Sequence, residues 1–242
     1  MEAKEFLAEI NEAPRALTKE EVRLCLEGAD AFWIYRDGRH PLPNVPHALL
    51  TSGQHSDGYV NVGAMLKSYP GVRRALAMSL IAALRKVWVG QFAYVVGADT
   101  SSTDLAFDVA SITNTKHIRM KKVEDEKGKR QVWDNAKTCP LWAESLILHI
   151  EELITTSFSA LQVRQGIRQE LDSDFEINFV PFLPVIVNRS NIIAVERSNL
   201  LPLLQLNICN YDSGNCPYCK AGSQAIKPKE GDNWLRLTGN LS

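Results

Sequence analysis

An α/β fold, with a mostly parallel central sheet flanked by helices, is predicted by three features of this 242-residue chain. Apolar runs of strand length alternate with segments of helical spacing, the pattern of strand–helix–strand units. Two of these units pass from strand to helix through loops dense in hydroxyls, at Asp99–Ser102 and Thr155–Ser159. No internal repeat or low-complexity segment interrupts the alternation.

In order, Ala3–Glu12 and Thr18–Gly28 have amphipathic helical spacing, and Thr18 with Glu21 makes a capping box that opens the second. Ala31–Tyr35 is aromatic and strand-like, and the prolines of Pro41–Pro46 mark a loop. Gly71–Val87 reads as a helix, Phe92–Gly97 as a short buried strand, Leu105–Ile112 as a helix and His117–Lys122 as a strand. Glu124–Gly128 is a charged turn from which Lys129–Trp133 returns as a hairpin. Strand Leu146–Ile150, helix Ser159–Leu171, strand Phe175–Phe182 and strand Ile192–Glu196 complete the series. Three regions are expected: an N-terminal helical and hood region over 1–45, a core over 46–200, and a C-terminal extension over 201–242.

At 45% hydrophobic and 23% charged residues, the chain can bury one substantial core and a small appendage. A net charge of −1 gives no general attraction to nucleic acid or anionic membrane, so anion binding must come from local groups. There is no apolar run of about eighteen residues, and the start MEAKEFLAEINEA lacks the apolar core of a signal peptide. Five cysteines, three of them scattered, do not make a secreted disulfide framework. The expected compartment is the cytoplasm.

The most informative stretch is Leu146–Ser159, LILHIEELITTSFS. An apolar strand reaches two adjacent carboxylates, Glu151 and Glu152, followed by the hydroxyls of Thr155, Thr156, Ser157 and Ser159 at a helix start. A buried parallel strand carries the residues after it to the carboxyl edge of the sheet, where such folds bind ligands. Free N–H groups and the positive dipole end of a helix suit an anion, and paired carboxylates accept hydrogen bonds from a diol. A sugar phosphate offers both partners.

This segment resembles the signature of the type I phosphoribosyltransferases, in which a strand, two acids, two mostly apolar residues and Thr-Thr-Gly-Gly-Thr/Ser hold the ribose 5-phosphate of phosphoribosyl pyrophosphate. The register runs one to one from Glu151 to Ser159, with Ser157 and Phe158 where the family has glycines. Gly97, Leu105 and Ala106 match the family's pyrophosphate loop, whose glycine pair is replaced by Ser101 and Ser102 while Asp99 and Asp104 add negative charge. Ser52, Gly53, Ser56 and Tyr59 fall on the N-terminal substrate element of the orotate branch, with Thr51 where many members carry lysine. The three elements come in family order and span Pro46 to Val180. The basic hairpin Lys116–Arg130 lies where the family carries a mobile loop whose cations neutralise departing pyrophosphate, in the orotate branch often across a dimer.

The resemblance implies a type I phosphoribosyltransferase-like fold and transfer of a phosphoribosyl group to a nitrogenous base, orotate first, in pyrimidine nucleotide synthesis. It implies that Glu151, Glu152, Thr155, Thr156, Ser157, Phe158 and Ser159 hold the ribose 5-phosphate, and that Asp99, Thr100, Ser101 and Ser102 hold pyrophosphate. The base would meet Ser52, Gly53, His55, Ser56 and Tyr59. Arg119, Lys121 and Lys122 are the catalytic cations, with Lys127, Lys129 and Arg130 alongside. Magnesium chelated by the substrate and a homodimer are also implied, with small molecules, not nucleic acid or membrane, as partners. Losing both glycine pairs predicts a weaker phosphate grip. It keeps open a non-catalytic protein that binds phosphoribosyl pyrophosphate or a nucleotide, and equally an enzyme for another base.

Each residue also has a plainer reading. Adjacent glutamates at a strand end are usually solvated charge, and a mixed-charge stretch is most often an exposed turn. His55 is balanced between a ligand contact and a turn hydrogen bond, and His149, inside the apolar strand, reads as a satisfied core residue. Trp88, Trp133, Trp142 and Trp234 read as packing groups. Cys216-Pro217-Tyr218-Cys219 has the spacing of a structural turn, a zinc knuckle or a redox pair. For zinc, Cys209 could add a third ligand, and no histidine nearby in sequence supplies a fourth.

Overall fold

The computed structural model describes residues 2–35, 41–125, 128–142, 144–171 and 176–239. The chain forms two compact units, each built from two segments: Met1–Gly28 with Val62–Leu206, and Ala29–Asn61 with Asn207–Ser242. The region expected as a separate extension over 201–242 thus contributes to both units, and most of it folds with 29–61.

In the larger unit, strands Asn178–Phe179, Leu146–His149, Tyr94–Val96 and Lys116–Ile118 lie side by side in that order, all parallel. Parallel strands need crossovers, and helix Ser101–Thr113 supplies the one between Tyr94–Val96 and Lys116–Ile118. A second sheet runs Glu151–Ile154, Phe182–Asn188, Ser198–Gln205, parallel throughout, with Ala194–Val195 antiparallel at its edge. One stretch of chain serves both sheets. Leu146–His149 belongs to the first, Glu151–Ile154 to the second, and Ile150 between them still donates its N–H to the Val96 carbonyl at 3.0 Å.

Helices at the N-terminus and over Val62–Ser68, Pro70–Val87 and Phe158–Gln169 accompany these sheets. The capping box is present, with Thr18 N–H donating to Glu21 Oε2 at 2.8 Å and Glu21 N–H to Thr18 Oγ1 at 3.3 Å. Beneath helix Phe158–Gln169 lies an apolar cluster of Tyr94, Val96, Ile118, Met120, Trp133, Ile147, Val163 and Ile167. Among the described residues, no helix is long and apolar enough to cross a membrane.

Several elements differ from their sequence expectation. Extended chain resumes after Ile150 as a second strand that runs through both carboxylates to Ile154, because Glu151 and Leu153 pair with Val185 and Val187. Helix Ser101–Thr113 opens a turn earlier than its apolar spacing suggests, since Thr100 caps it by accepting from Ser102 N–H. Phe182–Asn188 and Ser198–Gln205, two of the longest strands, fall between or beyond the runs picked out by pattern. Both are broken by proline, at Pro184 and Pro202, which weakens their signal as strands. Phe175 and Lys127 lie outside the described residues.

The smaller unit holds a four-stranded sheet in the order Asn210–Tyr211, His55–Ser56, His47–Leu49, Ala225–Ile226, and a two-stranded pair of Phe32–Ile34 with Gly58–Val60. Trp33, Tyr35, Ala48, Cys216, Tyr218, Ile226 and Leu237 form its core, and the Trp33 indole N–H donates to the Leu237 carbonyl at 2.7 Å.

Gly166 shows how tightly the larger unit is packed. A Cβ there would stand 2.2 Å from the backbone oxygen of Gln131 in the hairpin strand Gly128–Trp133. On helix propensity alone, Gly166→Ala should stabilise by roughly 0.5–1 kcal/mol. Backbone cannot retreat as a flexible side chain would, so the clash decides the sign. The variant is expected to unfold at a lower urea midpoint than the parent; a raised midpoint would show that the helix and hairpin are not in contact.

Candidate functional site

The register Val96↔His149 places the ends of strands Tyr94–Val96 and Leu146–His149 side by side, so the loop after the first and the acids after the second share one edge. Ser102, fully buried, joins them. Its hydroxyl donates to Glu151 Oε2 at 2.9 Å and accepts the Glu152 N–H at 3.0 Å. The other Glu151 oxygen meets His149 Nε2 at 2.9 Å, and Arg164 Nε lies 3.3 Å from His149 Nδ1.

Arginine can only donate, so His149 Nδ1 accepts and its Nε2–H points at Glu151. Burial holds the imidazole below its usual pKa, in keeping with a neutral ring. Arg164 is itself buried, donating to the Val195 carbonyl, Glu196 and Ser198, and Arg168 grips Glu196 with two bonds of 2.7 and 2.8 Å. Those bonds, Arg168 first, pull Glu196 down to about 2.

The two glutamates therefore face different surroundings. Both oxygens of Glu151 are engaged by protein groups, whereas Glu152 Oε2 is enclosed without a hydrogen-bond partner. Burial first, and the neighbouring Glu151 second, push Glu152 up to about 7, against the opposing pull of Ser101, Lys67 and Thr100. Gly63 makes room for it: a Cβ there would come within 2.7 Å of Ser101 Oγ and 3.3 Å of Glu152 Oε2. An enclosed acceptor of this kind suits a ligand that brings its own donors, such as a hydroxyl pair or the waters of a cation.

Both hydroxyl-rich loops have ordinary backbones. Ser157 is right-handed at φ −77°, ψ 0°, Phe158 begins the helix, and Ser101 and Ser102 are helical. None of these positions takes the positive φ that would demand glycine. No side chain caps helix Phe158–Gln169 at Ser157, and Thr155, Thr156 and Ser159 are exposed around its first turn. The Phe158 ring is 63% exposed and lines a cavity with Lys129, Arg130 and Gln162.

Asp99, in the loop after strand Tyr94–Val96, is bound to the hairpin Met120–Trp133. Its N–H donates to Gln131 Oε1 at 3.0 Å, and its carboxylate accepts the Lys122 N–H at 2.7 Å. Asp104 lies 3.7 Å from Arg73, which also holds Asp108 at 2.7 Å. Arg119 is committed to Asp134 at 2.7 Å. Lys122 pairs with Gln131 across the hairpin and so shares the face that meets Asp99, while Lys121 pairs with Val132 on the opposite face.

In the smaller unit, Ser52 and Gly53 sit at the tip of the hairpin His47–Ser56, with Gly53 at φ +83°. Thr51 and Tyr59 line a cavity of about 290 Å³ with Lys227, Pro228 and Lys229. The Ser56 hydroxyl donates to the Cys209 carbonyl at 3.0 Å. His55 turns inward to His47, Cys216 and Cys219, whose ligand atoms all lie within 4.8 Å of one another. Cys209, which by sequence could have been a third ligand, stands outside that group, and the two histidines are distant in sequence from the cysteines but adjacent to each other in the sheet. Glu152's isolation and the two histidines were not legible in the sequence; the spacing of Glu151 and Glu152 was the only signal for the first.

No family model matches the sequence. It is 30% identical over 182 residues to the orotate phosphoribosyltransferase of Heliobacterium modesticaldum, covering 75% of this chain and 88% of that protein. To the orotate phosphoribosyltransferase of Campylobacter jejuni it is 28% identical over 211 residues, 81% of this chain and 95% of the other. The crystal structure of orotate phosphoribosyltransferase from Aeropyrum pernix superposes with a TM-score of 0.50 at 16% identity, over 76% of this chain and 93% of that one.

Glu152 has a consequence for stability. Its pKa is about 7 in the folded chain against an ordinary 4.5, so stability is full below about 4.5, falls as pH rises toward 7, and is level above. Glu152→Gln removes that loss. The variant should match the parent in denaturant unfolding at pH 4.5 and exceed it by up to about 3 kcal/mol at pH 8; equal stability at both pH values would mean that Glu152 is solvated.

Proposed function

The chain belongs to the type I phosphoribosyltransferase family, among the orotate phosphoribosyltransferases, and we propose that it transfers the phosphoribosyl group of phosphoribosyl pyrophosphate to a nitrogenous base, orotate first. The observation that carries the reading is Glu152 Oε2, an enclosed carboxylate oxygen without a hydrogen-bond partner, five residues before Ser157 at the uncapped start of helix Phe158–Gln169.

In this reading the base nitrogen, having given up its proton to solvent, forms a bond to C1′ of the ribose as the bond from C1′ to the pyrophosphate oxygen breaks, and the electron pair leaves with pyrophosphate. Positive charge develops on the sugar and negative charge on the leaving group. Glu152 accepts from the ribose hydroxyls, and Glu151, held by His149 and Ser102, sets its position. The N–H groups and hydroxyls of Thr155–Ser159 receive the 5-phosphate. Thr100, Ser101 and Ser102 line the start of the helix assigned to pyrophosphate, with Asp99 anchoring the basic hairpin there. Lys122 then offers charge to the departing group. Contacts to the base are assigned to Ser52, Gly53 and Tyr59, and Lys227 and Lys229 in the cavity beside Thr51 compensate for the lysine absent at that position.

The unpartnered oxygen of Glu152 fits a substrate-chelated magnesium through its waters, and such an ion would supply further charge neutralisation on pyrophosphate. Homodimerisation and a cytoplasmic setting are proposed from the family alone.

Three experiments test this. Purified protein is incubated with phosphoribosyl pyrophosphate, magnesium and orotate, uracil, hypoxanthine or adenine, and pyrophosphate release is followed. Turnover with orotate is expected. Binding seen by calorimetry without turnover on any base would favour a non-catalytic sensor, and neither would end the proposal. Glu152→Gln should bind phosphoribosyl pyrophosphate about 10- to 100-fold more weakly, from the loss of a charge-assisted hydrogen bond. In parallel, Lys122→Ala should lower kcat by about 10²–10³ with a smaller change in KM, whereas Lys121→Ala stays near the parent. Equal losses in the two lysine variants would refute the assignment by hairpin face.

A further inference from the structure

We propose that His47, His55, Cys216 and Cys219 bind a single zinc ion that holds the smaller unit together. The four side chains come from two segments far apart in sequence, the hairpin His47–Ser56 and the turn entering the short helix Pro217–Lys220. His47 Nε2 stands 3.0 Å from His55 Nδ1, 3.4 Å from Cys216 Sγ and 3.6 Å from Cys219 Sγ, and Cys219 Sγ is 3.2 Å from His55 Nδ1. A tetrahedral ion with bonds of about 2.05 Å to nitrogen and 2.3 Å to sulfur separates its ligands by about 3.3–3.8 Å. These four spacings are close to those of such a shell, drawn in slightly on the nitrogen side, and all four ligand atoms lie within 4.8 Å of one another.

The orientation of His47 is set from behind. Ser223 has one hydroxyl proton, which it donates to the Val45 carbonyl at 2.6 Å, so at 2.8 Å from His47 Nδ1 it can only accept. Nδ1 therefore carries the ring proton and Nε2 presents its lone pair to the other three atoms. A hydrogen bond of this kind on the far nitrogen is the usual support of a metal-ligating histidine. Tyr218 stacks on the same ring, 5.3 Å between centroids at 28°.

Two thiolates and two neutral imidazoles balance a divalent cation, so the group can be buried as a neutral whole, and loading releases the two thiol protons. Sulfur and imidazole in a tetrahedron select zinc among common divalent ions. The shell is too small for a two-iron cluster, whose cysteine and histidine pairs sit on separate irons. Cys216 and His47 are fully buried, while Cys219 reaches the surface and leaves an entry path. The role is structural. A unit of about 70 residues made from two separate segments has little core of its own, and a metal clip between them offsets the cost of bringing them together.

The test uses the full chain. Elemental analysis of protein purified without added metal should give about one zinc per chain. Chain stripped by chelator and titrated with cobalt should show the strong visible bands of a tetrahedral site and thiolate-to-cobalt charge transfer in the near ultraviolet. This readout on the parent needs no variant to fold. Cys216→Ser and Cys219→Ser should lose both signals, Cys209→Ser should keep them, and Ser223→Ala should weaken zinc binding about 10- to 100-fold. A folded chain without zinc whose cobalt form lacks tetrahedral bands would overturn the proposal. So would a Cys216–Cys219 disulfide in protein purified without oxidant, which would mark a redox pair.

Discussion

The carboxyl edge of the strands in the larger unit depends on one buried chain of hydrogen bonds, from Arg164 through His149 and Glu151 to Ser102. Its direction is dictated at one end, because a guanidinium has protons to give and no lone pair to offer. Each group along it is left one role: His149 accepts and then donates, Glu151 only accepts, and Ser102 donates to Glu151 while receiving the Glu152 N–H. Such a chain has no alternative arrangement of equal energy. It holds the bend where Leu146–Ile154 passes from one sheet to the other, consumes Glu151, and leaves Glu152 as the acid with an oxygen to spare.

The glycine pairs missing from both hydroxyl loops find their explanation in the backbone. With Ser157 right-handed and Ser101 and Ser102 already inside a helix, neither loop adopts a conformation that excludes a side chain. Glycine is required beside the serines of these loops, not at them. At Gly97 a Cβ would lie 2.4 Å from the Ser102 oxygen, and at Gly63 it would meet Ser101 and Glu152. Close approach, not positive φ, is what these two glycines provide.

Charge at the basic hairpin is shared out in a comparable way. Asp99, an unexpected acid for a loop assigned to pyrophosphate, spends its carboxylate on the Lys122 N–H and draws the hairpin to the loop. Arg119 is neutralised by Asp134. Lys122, on the loop-facing side of the hairpin, is tied to that loop through its own backbone N–H.

Local chemistry was legible wherever it depends on neighbours in sequence: the Thr18–Glu21 capping box, the long helix near residues 71–87, the alternation that makes a parallel sheet, and the acid pair followed by hydroxyls. His149 was recognisable as a core residue because an imidazole inside an apolar strand must find partners there. The sequence by itself determined the fold class and which residues stand at the edge of the strands, since periodicity and turn chemistry act over a few residues. Tertiary structure alone decided that Glu151 is consumed and Glu152 left open, and that His47 and His55 meet Cys216 and Cys219. Those outcomes rest on pairing between segments separated by up to 172 residues, as for His47 and Cys219, and hydrogen-bond partners at that distance leave no mark in the local pattern.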